Sequence, residues 1–212
     1  MKRIKTGIKG FDELIEGGLV KGSITLVSGA PGTGKSIFAM QFINEGLKNN
    51  EKCVYISVLS EKENQIIEEA KQFGFNLKKA KIITPQPEEW GVVIGELMKT
   101  IKPERMVIDS ISAFTFSDEG TLRRFMHELA GHVKNDGNCT VFIISELPKE
   151  SNYFSRDTVS EFISDGVVVL SKKVVGDKVE RSLVVEKMRQ TKIKGGIYPI
   201  EITKNGIVVK TK

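Results

Sequence analysis

Apolar residues along this chain fall into two alternating kinds of segment. Short apolar runs rich in β-branched residues predict buried strands, and they lie at 24–28, 54–59, 82–84, 105–110, 140–145 and 166–170. Elsewhere apolar residues recur at helical spacing, which predicts helices with one buried face, at about 37–47, 61–73, 88–101 and 120–135. This alternation of strand and helix favours a mainly parallel sheet with helices on both faces.

The pattern changes after residue 170, because the helical period disappears. Three later segments read as strands joined by turns, at 182–186, 197–202 and 207–209. We expect them to add antiparallel strands at one edge of the sheet. The length of 212 residues suits a single α/β domain, so one domain is predicted over residues 1–212.

Composition narrows the class of protein only slightly. The chain is 40% apolar and 28% charged, which is ordinary for a globular protein. No apolar run approaches the roughly 20 residues of a membrane span, and residues 1–7 lack the apolar core of a signal peptide. We therefore expect a cytoplasmic protein with no membrane partner. Cys53 and Cys139 each begin an apolar run and are predicted to be buried thiols.

Positive charge is concentrated in the C-terminal part of the chain. Residues 171–212 carry 11 Lys/Arg against 4 Asp/Glu, whereas residues 1–170 carry 21 against 23. Such a surplus can mark an anionic partner, either a nucleic acid or a nucleotide bound by a neighbouring subunit. Alternatively, the lysines form a solvated edge-strand surface that discourages aggregation. For most of these lysines we favour the second interpretation.

The most specific local motif follows the first predicted strand. Residues 29–36 match the pattern G-x-x-x-x-G-K-[ST] without a mismatch, in the required strand–loop–helix context. The stretch consists of Gly29, Ala30, Pro31, Gly32, Thr33, Gly34, Lys35, Ser36 and the following Ile37. Glycines let backbone N–H groups surround an anion. Lys35 supplies charge for the outer phosphates and Ser36 a hydroxyl for Mg²⁺, so residues 29–37 predict a nucleoside triphosphate site.

Three other strand ends carry polar residues that can complete such a site. Asp109 ends a buried strand, where open parallel sheets bind ligands, and can hold Mg²⁺. Glu61 follows the strand that we expect beside the phosphate-loop strand, and it is the candidate to orient the attacking water. Alternatively, Glu61 stabilises the first turn of a helix. Ser145, which precedes Glu146, can sense the γ-phosphate or simply bond to the backbone.

Two cations lie on one face of a C-terminal strand. Alternation places Lys187 and Arg189 on the same side, with Met188 on the other. From a sheet edge these side chains could reach phosphates bound by a neighbouring subunit, as a finger supplied in trans. The alternative is a solvated strand face, which the residues alone favour.

Together these segments resemble the single-domain KaiC-like ATPases of the RecA superfamily over nearly the whole chain. The resemblance is carried by T-G-I-x-G-F-D at 6–12, the Walker A loop at 29–36, the Walker B strand at 106–109, E-F-x-x-D-G at 161–166, K-M-R at 187–189 and N-G-I at 205–207. It implies a RecA-type core that assembles into homo-oligomeric rings, usually hexamers, with ATP at the subunit interfaces. Lys187, Arg189 and Thr191 would then face a neighbour's ATP, which replaces the solvated-face interpretation of the two cations.

Two positions depart from the family pattern. The family generally carries a water-activating Glu-Glu pair after the second strand, and Ser60 and Glu61 align with it here. Gln190 stands where the family often has Gly. The first hypothesis is therefore a slow Mg²⁺-dependent ATPase in which Glu61 orients water. The second is a non-hydrolysing switch, in which ATP bridges the subunits of a scaffold for a signalling or motility partner.

A third hypothesis is a recombinase-like protein that binds DNA through loops at about 113–120 and 148–160. The first loop contains two acidic residues and no basic residue, and the second contains two of each sign. Phosphate contacts require a positive surplus, which neither loop has. We therefore rank this hypothesis last and do not expect nucleic acid as a partner.

Overall fold

The computed structural model describes residues 1–57, 62–86, 89–112, 119–148, 151 and 153–211. Its strands are β1 (Arg3–Ile4), β2 (Leu19–Val20), β3 (Ile24–Gly29), β4 (Cys53–Ser57), β5 (Lys81–Ile83), β6 (Arg105–Asp109), β7 (Thr140–Glu146), β8 (Gly166–Val175), β9 (Lys178–Met188), β10 (Tyr198–Thr203) and β11 (Gly206–Val209). Its helices are α1 (Lys35–Lys48), α2 (Glu63–Gln72), α3 (Trp90–Thr100), α4 (Glu119–Asp136) and α5 (Ser160–Ile163), with a 3₁₀ turn at Asp12–Ile15.

The described residues form one large sheet and one small one. The large sheet has nine strands in the order β11-β10-β9-β8-β3-β7-β6-β4-β5, and β1 pairs with β2 separately. The strands from β8 to β5 in this order are parallel to their neighbours. Strands β9, β10 and β11 extend the sheet by antiparallel pairing. The predicted fold class, a mainly parallel sheet with antiparallel C-terminal edge strands, is confirmed.

The sheet separates two hydrophobic clusters, because successive side chains of a strand point to opposite faces. Val27 and Val107 belong to the cluster that packs against α1 and α2. Leu26 and Met106, one position earlier on the same strands, belong to the cluster that packs against α3 and α4. Helices therefore cover both faces of the sheet, as the sequence predicts.

One expectation about strand order is wrong. Strand β4, which leads toward Ser60 and Glu61, does not lie beside the phosphate-loop strand β3, because β7 and β6 occupy the two positions between them. Strand β7 pairs with β3 and β6 pairs with β4. These two strands, which come later in the chain, fill the space between β3 and β4. Ser57 at the end of β4 instead pairs with Asp109. Residues 58–61, and with them the predicted water-orienting Glu61, lie outside the described residues.

The first two C-terminal strands are longer than the sequence pattern predicts. Strand β8 continues to Val175 and β9 begins at Lys178, so the two form one hairpin. Leu170 pairs with Gly29, the last residue of β3, and the outer part of the hairpin continues beyond that point. Because this outer part is exposed and largely charged, it lacks the alternation of buried residues from which a strand is predicted.

The two cysteines are buried free thiols, as the sequence predicts. Burial raises the pKa of Cys53 to about 12 and also raises the pKa of Cys139. Both thiols therefore stay protonated at neutral pH and serve as small apolar side chains. Among the helices in the described ranges, none has the length and apolarity needed to cross a bilayer.

Candidate functional site

The loop between β3 and α1 depends on glycine at three positions. Gly32 and Gly34 have φ angles of 76° and 105°, in the left-handed region that glycine adopts without steric cost. A Cβ atom on Gly29 would lie 2.3 Å from the carbonyl oxygen of Leu170 on the neighbouring strand. The loop can therefore follow this path only with its predicted glycines, and α1 begins directly after Gly34.

The other loop residues differ in their exposure. Pro31 at the tip is exposed, whereas Thr33 is buried and donates its hydroxyl to the carbonyl of Ala30 at 2.9 Å. Lys35 is only 8% exposed, and its Nζ donates to the same Ala30 carbonyl at 3.1 Å. Ile37 is half-buried and packs against the core. The lysine is thus held beside the loop rather than extended into solvent.

Asp109 ends β6 and meets the first turn of α1. Its carboxylate accepts hydrogen bonds from the hydroxyls of Tyr55, at 2.6 Å, and Ser36. Burial raises the pKa of Asp109, while these two hydrogen bonds and the charge of Lys35 act in the opposite direction. Carboxylate and hydroxyl oxygens are the donors that Mg²⁺ prefers. The structure therefore brings together Ser36 and Asp109, and their chemistry fits that ion.

Glu146 adds a second carboxylate at this end of the sheet. It ends β7, directly beside β3, where it pairs with Gly29. Its backbone N–H is fixed by the Ser112 hydroxyl at 2.8 Å. Burial lowers the pKa of Lys35, and the negative charges of Glu146 and Asp109 oppose that shift, Glu146 more strongly. This carboxylate has no role in the site predicted from the sequence, although its position directly after an apolar run was a visible signal.

Ser145, the strand-end hydroxyl that the sequence offered as a phosphate sensor, is bonded to the backbone. It is fully buried, and its Oγ accepts the N–H of Arg156 at 3.2 Å. This contact matches the backbone-bonded alternative for Ser145.

Two cations that the sequence analysis did not single out lie over the phosphate loop. Arg181 donates its Nε to the carbonyl of Gly32 at 3.2 Å. The Nζ of Lys172 lies 3.1 Å from the position that a Cβ on Gly32 would occupy. The two cations are direct cross-strand neighbours on β8 and β9, and like charges placed this way destabilise a sheet. Neither forms an ion pair with another residue in the described ranges, so together they concentrate positive charge beside the loop.

Lys187 and Arg189 lie toward the opposite end of the sheet from this loop. Lys187 pairs with Val167, which pairs with Leu26. Leu26 lies three residues before Gly29, or about 10 Å along the strand. Arg189 lies further in the same direction, beyond the end of β9. Both cations therefore lie well away from the phosphate loop of the same chain.

Both cations already have partners within the chain. Lys187 donates its Nζ to three carbonyl oxygens at the C-terminal end of α5, with the shortest contact, 2.6 Å, to Ser164. Arg189 lies 3.3 Å from the carboxylate of Asp165. Burial, followed by the charge of Arg189, lowers the pKa of Lys187. Thr191 lies next to them and donates its hydroxyl to the carbonyl of Arg189 at 3.2 Å.

The predicted alternation at this strand end is confirmed. Lys187 and Arg189 share an acceptor, the carbonyl oxygen of Phe162, and therefore lie on one face. Met188 points to the other face and is buried in the core. The two cations thus form one cluster at the amino end of the sheet.

Known proteins match the chain over nearly its whole length. A family model described as "ATPase: KaiC" matches residues 4–83 and 81–212. The chain is 33% identical, over 96% of its length, to the circadian clock oscillator protein KaiC of Parathermosynechococcus lividus, of which it spans 41%. It is 30% identical, over 99% of its length, to a UPF0273 protein of Thermotoga maritima, and it spans 96% of that protein.

A solved structure has the same architecture. The crystal structure of a KaiC-like protein from the archaeon Pyrococcus horikoshii OT3 is 34% identical to this chain, with a TM-score of 0.88. The match covers 99% of both chains. The chain therefore corresponds to about two fifths of the clock protein and to nearly all of the UPF0273 protein and of the archaeal KaiC-like protein.

Proposed function

This chain belongs to the KaiC-like ATPase family, and from that premise we propose that it binds Mg²⁺–ATP and hydrolyses it slowly at the interfaces of a homo-oligomeric ring, with a hexamer as the expected size. The observation that carries the proposal is the convergence of Lys35, Ser36 and Asp109 where β3 and β6 end and α1 begins. The positive end of a helix and its free N–H groups favour phosphate. Ser36 and Asp109 would hold the Mg²⁺.

The residues of one subunit would divide the chemistry among them. Lys35 and the N–H groups of the loop stabilise charge on the phosphates, and bound Mg²⁺ neutralises charge on their oxygens. A carboxylate must also orient the attacking water. We assign this role to Glu61, with Glu146 beside the loop as the alternative. Arg181 and Lys172 add positive charge from the hairpin.

A neighbouring subunit would supply Lys187, Arg189 and Thr191. Their distance from their own loop supports a contact in trans rather than within one chain. Lys187 would exchange the carbonyl oxygens of α5 for phosphate oxygens when the neighbour binds ATP. Arginine suits such a contact because its planar donors match phosphate geometry.

Light scattering after size-exclusion chromatography, with and without Mg²⁺–ATP, tests this proposal when phosphate release is measured on the same sample. We expect ATP-dependent assembly and slow phosphate release in the wild type. Both should be lost in Lys35→Ala, which removes the charge at the centre of the loop. Correctly folded wild-type protein that neither assembles with Mg²⁺–ATP nor releases phosphate would contradict the proposal.

A non-hydrolysing switch is the second candidate, and the observation that favours it is Ser60 in place of the first Glu of the water-activating pair. ATP would then bridge subunits and present a surface to a signalling or motility protein. ATP-dependent assembly, with phosphate release no faster than in Lys35→Ala, would support the switch. Release that depends on Lys35 would support the ATPase.

A further inference from the structure

Arg3, near the beginning of the chain, joins two turns that are far apart in sequence. Its Nη1 donates to two carbonyl oxygens of the turn at 15–18, at 3.3 and 3.0 Å, and its Nη2 pairs with the Glu16 carboxylate at 2.7 Å. The same two nitrogens donate to the Thr191 hydroxyl and the Gln190 carbonyl, each at 3.1 Å. The planar guanidinium therefore bridges both turns, and its side chain is only 20% exposed.

The second of these turns, residues 189–192, is called the contact turn below. Gln190 within it has a φ of 57°, a left-handed conformation that disfavours residues with a Cβ. A non-glycine residue keeps such a conformation only where the surroundings hold it. Arg3 binds the carbonyl of Gln190, and the Glu16 carboxylate accepts the N–H of Lys192 at 3.1 Å.

The contact turn is fixed at its first residue by a different partner. The N–H of Arg189 donates to the carbonyl of Asp165 at 2.8 Å. Arg3 and Glu16 hold the remaining residues of the turn, including the Thr191 hydroxyl, which in turn donates to the carbonyl of Arg189. The pair Arg3–Glu16 therefore fixes the part of the turn that follows Arg189, and it orients the Thr191 hydroxyl, which binds the Arg189 carbonyl.

We infer that Arg3 and Glu16 form a clamp that positions Arg189 and Thr191 for contact with ATP held by a neighbouring subunit. The inference rests on the proposed function, because it needs ATP at an interface between subunits. Arg3 and Glu16 are positioning residues, since they act on the phosphates only through the contact turn. An arginine is required because its fork donates to both turns at once, which a lysine ammonium cannot do with the same geometry.

A purely structural role is the competing explanation. The small sheet formed by β1 and β2 has only two residue pairs, and Arg3 could serve merely to fasten it. The two roles differ in a chain that has already lost the side chains of Arg189 and Thr191. A positioning clamp then has nothing left to position, whereas a structural role keeps its full effect.

A double-mutant cycle on Mg²⁺–ATP affinity separates the two roles, measured by calorimetry on the 212-residue chain at protein concentrations at which it assembles with ATP. We expect Arg3→Met to weaken ATP binding about tenfold, the size of one lost charge-assisted contact. In a chain that already carries Arg189→Met and Thr191→Val, the same substitution should change affinity by less than about twofold. Lys2→Met, at the exposed neighbouring position, is the matched control and should leave affinity unchanged.

Gln190→Val gives an independent test that leaves every hydrogen-bonding partner of the clamp in place. Its β-branched side chain opposes the left-handed conformation, so we expect a loss of affinity similar to that of Arg3→Met. Two results would overturn the clamp while the proposed function stands. The first is an equal loss of ATP affinity from Arg3→Met in both backgrounds. The second is unchanged ATP affinity in both Arg3→Met and Gln190→Val. Folded wild-type protein that binds no ATP would instead overturn the proposed function itself.

Discussion

Strand β9 carries a cation toward each end of the parallel sheet, and the two cations have different surroundings. Arg181 lies at the carboxyl end and contacts the phosphate loop of its own chain. Lys187 lies about 20 Å further along the strand, near the amino end, and contacts α5. Lys35, Asp109 and the loop glycines gather at the first end, whereas Arg189 and the contact turn gather at the second.

On the proposed function, the two ends differ in how far they would depend on a second subunit. At the carboxyl end, the two carboxylates and the lysine of the phosphate loop come from three different elements and converge within one chain. At the amino end, Lys187 and Arg189 already bind protein acceptors, so a neighbour's phosphate would have to replace these. ATP affinity should therefore depend on the first end in every state, and on the second end only after assembly.

The largest expected effect is that of Lys35→Ala. Loss of the ammonium should weaken Mg²⁺–ATP binding roughly a thousandfold, or about 4 kcal/mol, because charged hydrogen bonds to more than one phosphate are lost. The loss of ATP affinity should be the same at protein concentrations below and above those at which the subunits assemble. Titration calorimetry measures it, and Lys48→Ala at the exposed end of α1 is the control. A loss below about tenfold would show that the carboxyl end does not carry the site.

The second effect concerns turnover. Glu61→Gln should lower the rate of phosphate release about a hundredfold, with ATP affinity unchanged, because it removes a base and keeps the size of the side chain. Glu146→Gln, at the end of β7, is the matched comparison. Since Glu146 places a negative charge near Lys35, where phosphates would bind, this variant should tighten ATP binding and keep most of the turnover. If Glu146→Gln instead causes the large loss of phosphate release and Glu61→Gln keeps most of the turnover, Glu146 is the carboxylate that orients the attacking water.

The phosphate loop and Asp109 could be predicted because their signals are local. A glycine pattern between a strand and a helix defines the loop, and an apolar run that ends in a carboxylate defines the strand end. Strand order is not local, since a crossover does not fix which neighbour a returning strand will take. For this reason the sequence predicts β4, the strand that leads toward Glu61, beside β3, although β7 and β6 lie between β3 and β4.

The charged contacts around the site depend on pairing between distant segments. Arg181 reaches Gly32 only because β8 and β9 extend beyond the end of β3, and this exposed hairpin has no buried alternation. The contact between Arg3 and Thr191 spans 188 positions of sequence. Strand β9 also contains an irregularity in its pairing with β8. Its buried residues Leu183, Val185 and Met188 change from a spacing of two to a spacing of three at this β-bulge.

Lys187→Met should have an intermediate effect that appears only after assembly. We expect ATP affinity to fall about tenfold in the assembled protein, by loss of one charged contact, and to be unchanged in dissociated subunits. The free energy of unfolding should also fall by about 1 kcal/mol, because the carbonyl oxygens of α5 lose a donor. Lys173→Met, exposed on the hairpin, is the control for charge. Lower stability with unchanged affinity in the assembled protein would leave Lys187 with a structural role alone.

The smallest expected effect is that of Arg181→Met, which tests whether one strand divides its cations between two ATP sites. An exposed charge contributes up to about 1 kcal/mol, so ATP binding should weaken by at most about fivefold, already in dissociated subunits. The effect should shrink at high salt, because exposed charges are screened. Lys178→Met, exposed near the tip of the same hairpin, is the control. It changes the net charge by the same amount and leaves the contact between Arg181 and the loop in place. A loss that appears only after assembly would mean that Arg181 also acts on a neighbour's ATP, and both ends of β9 would then belong to the interface.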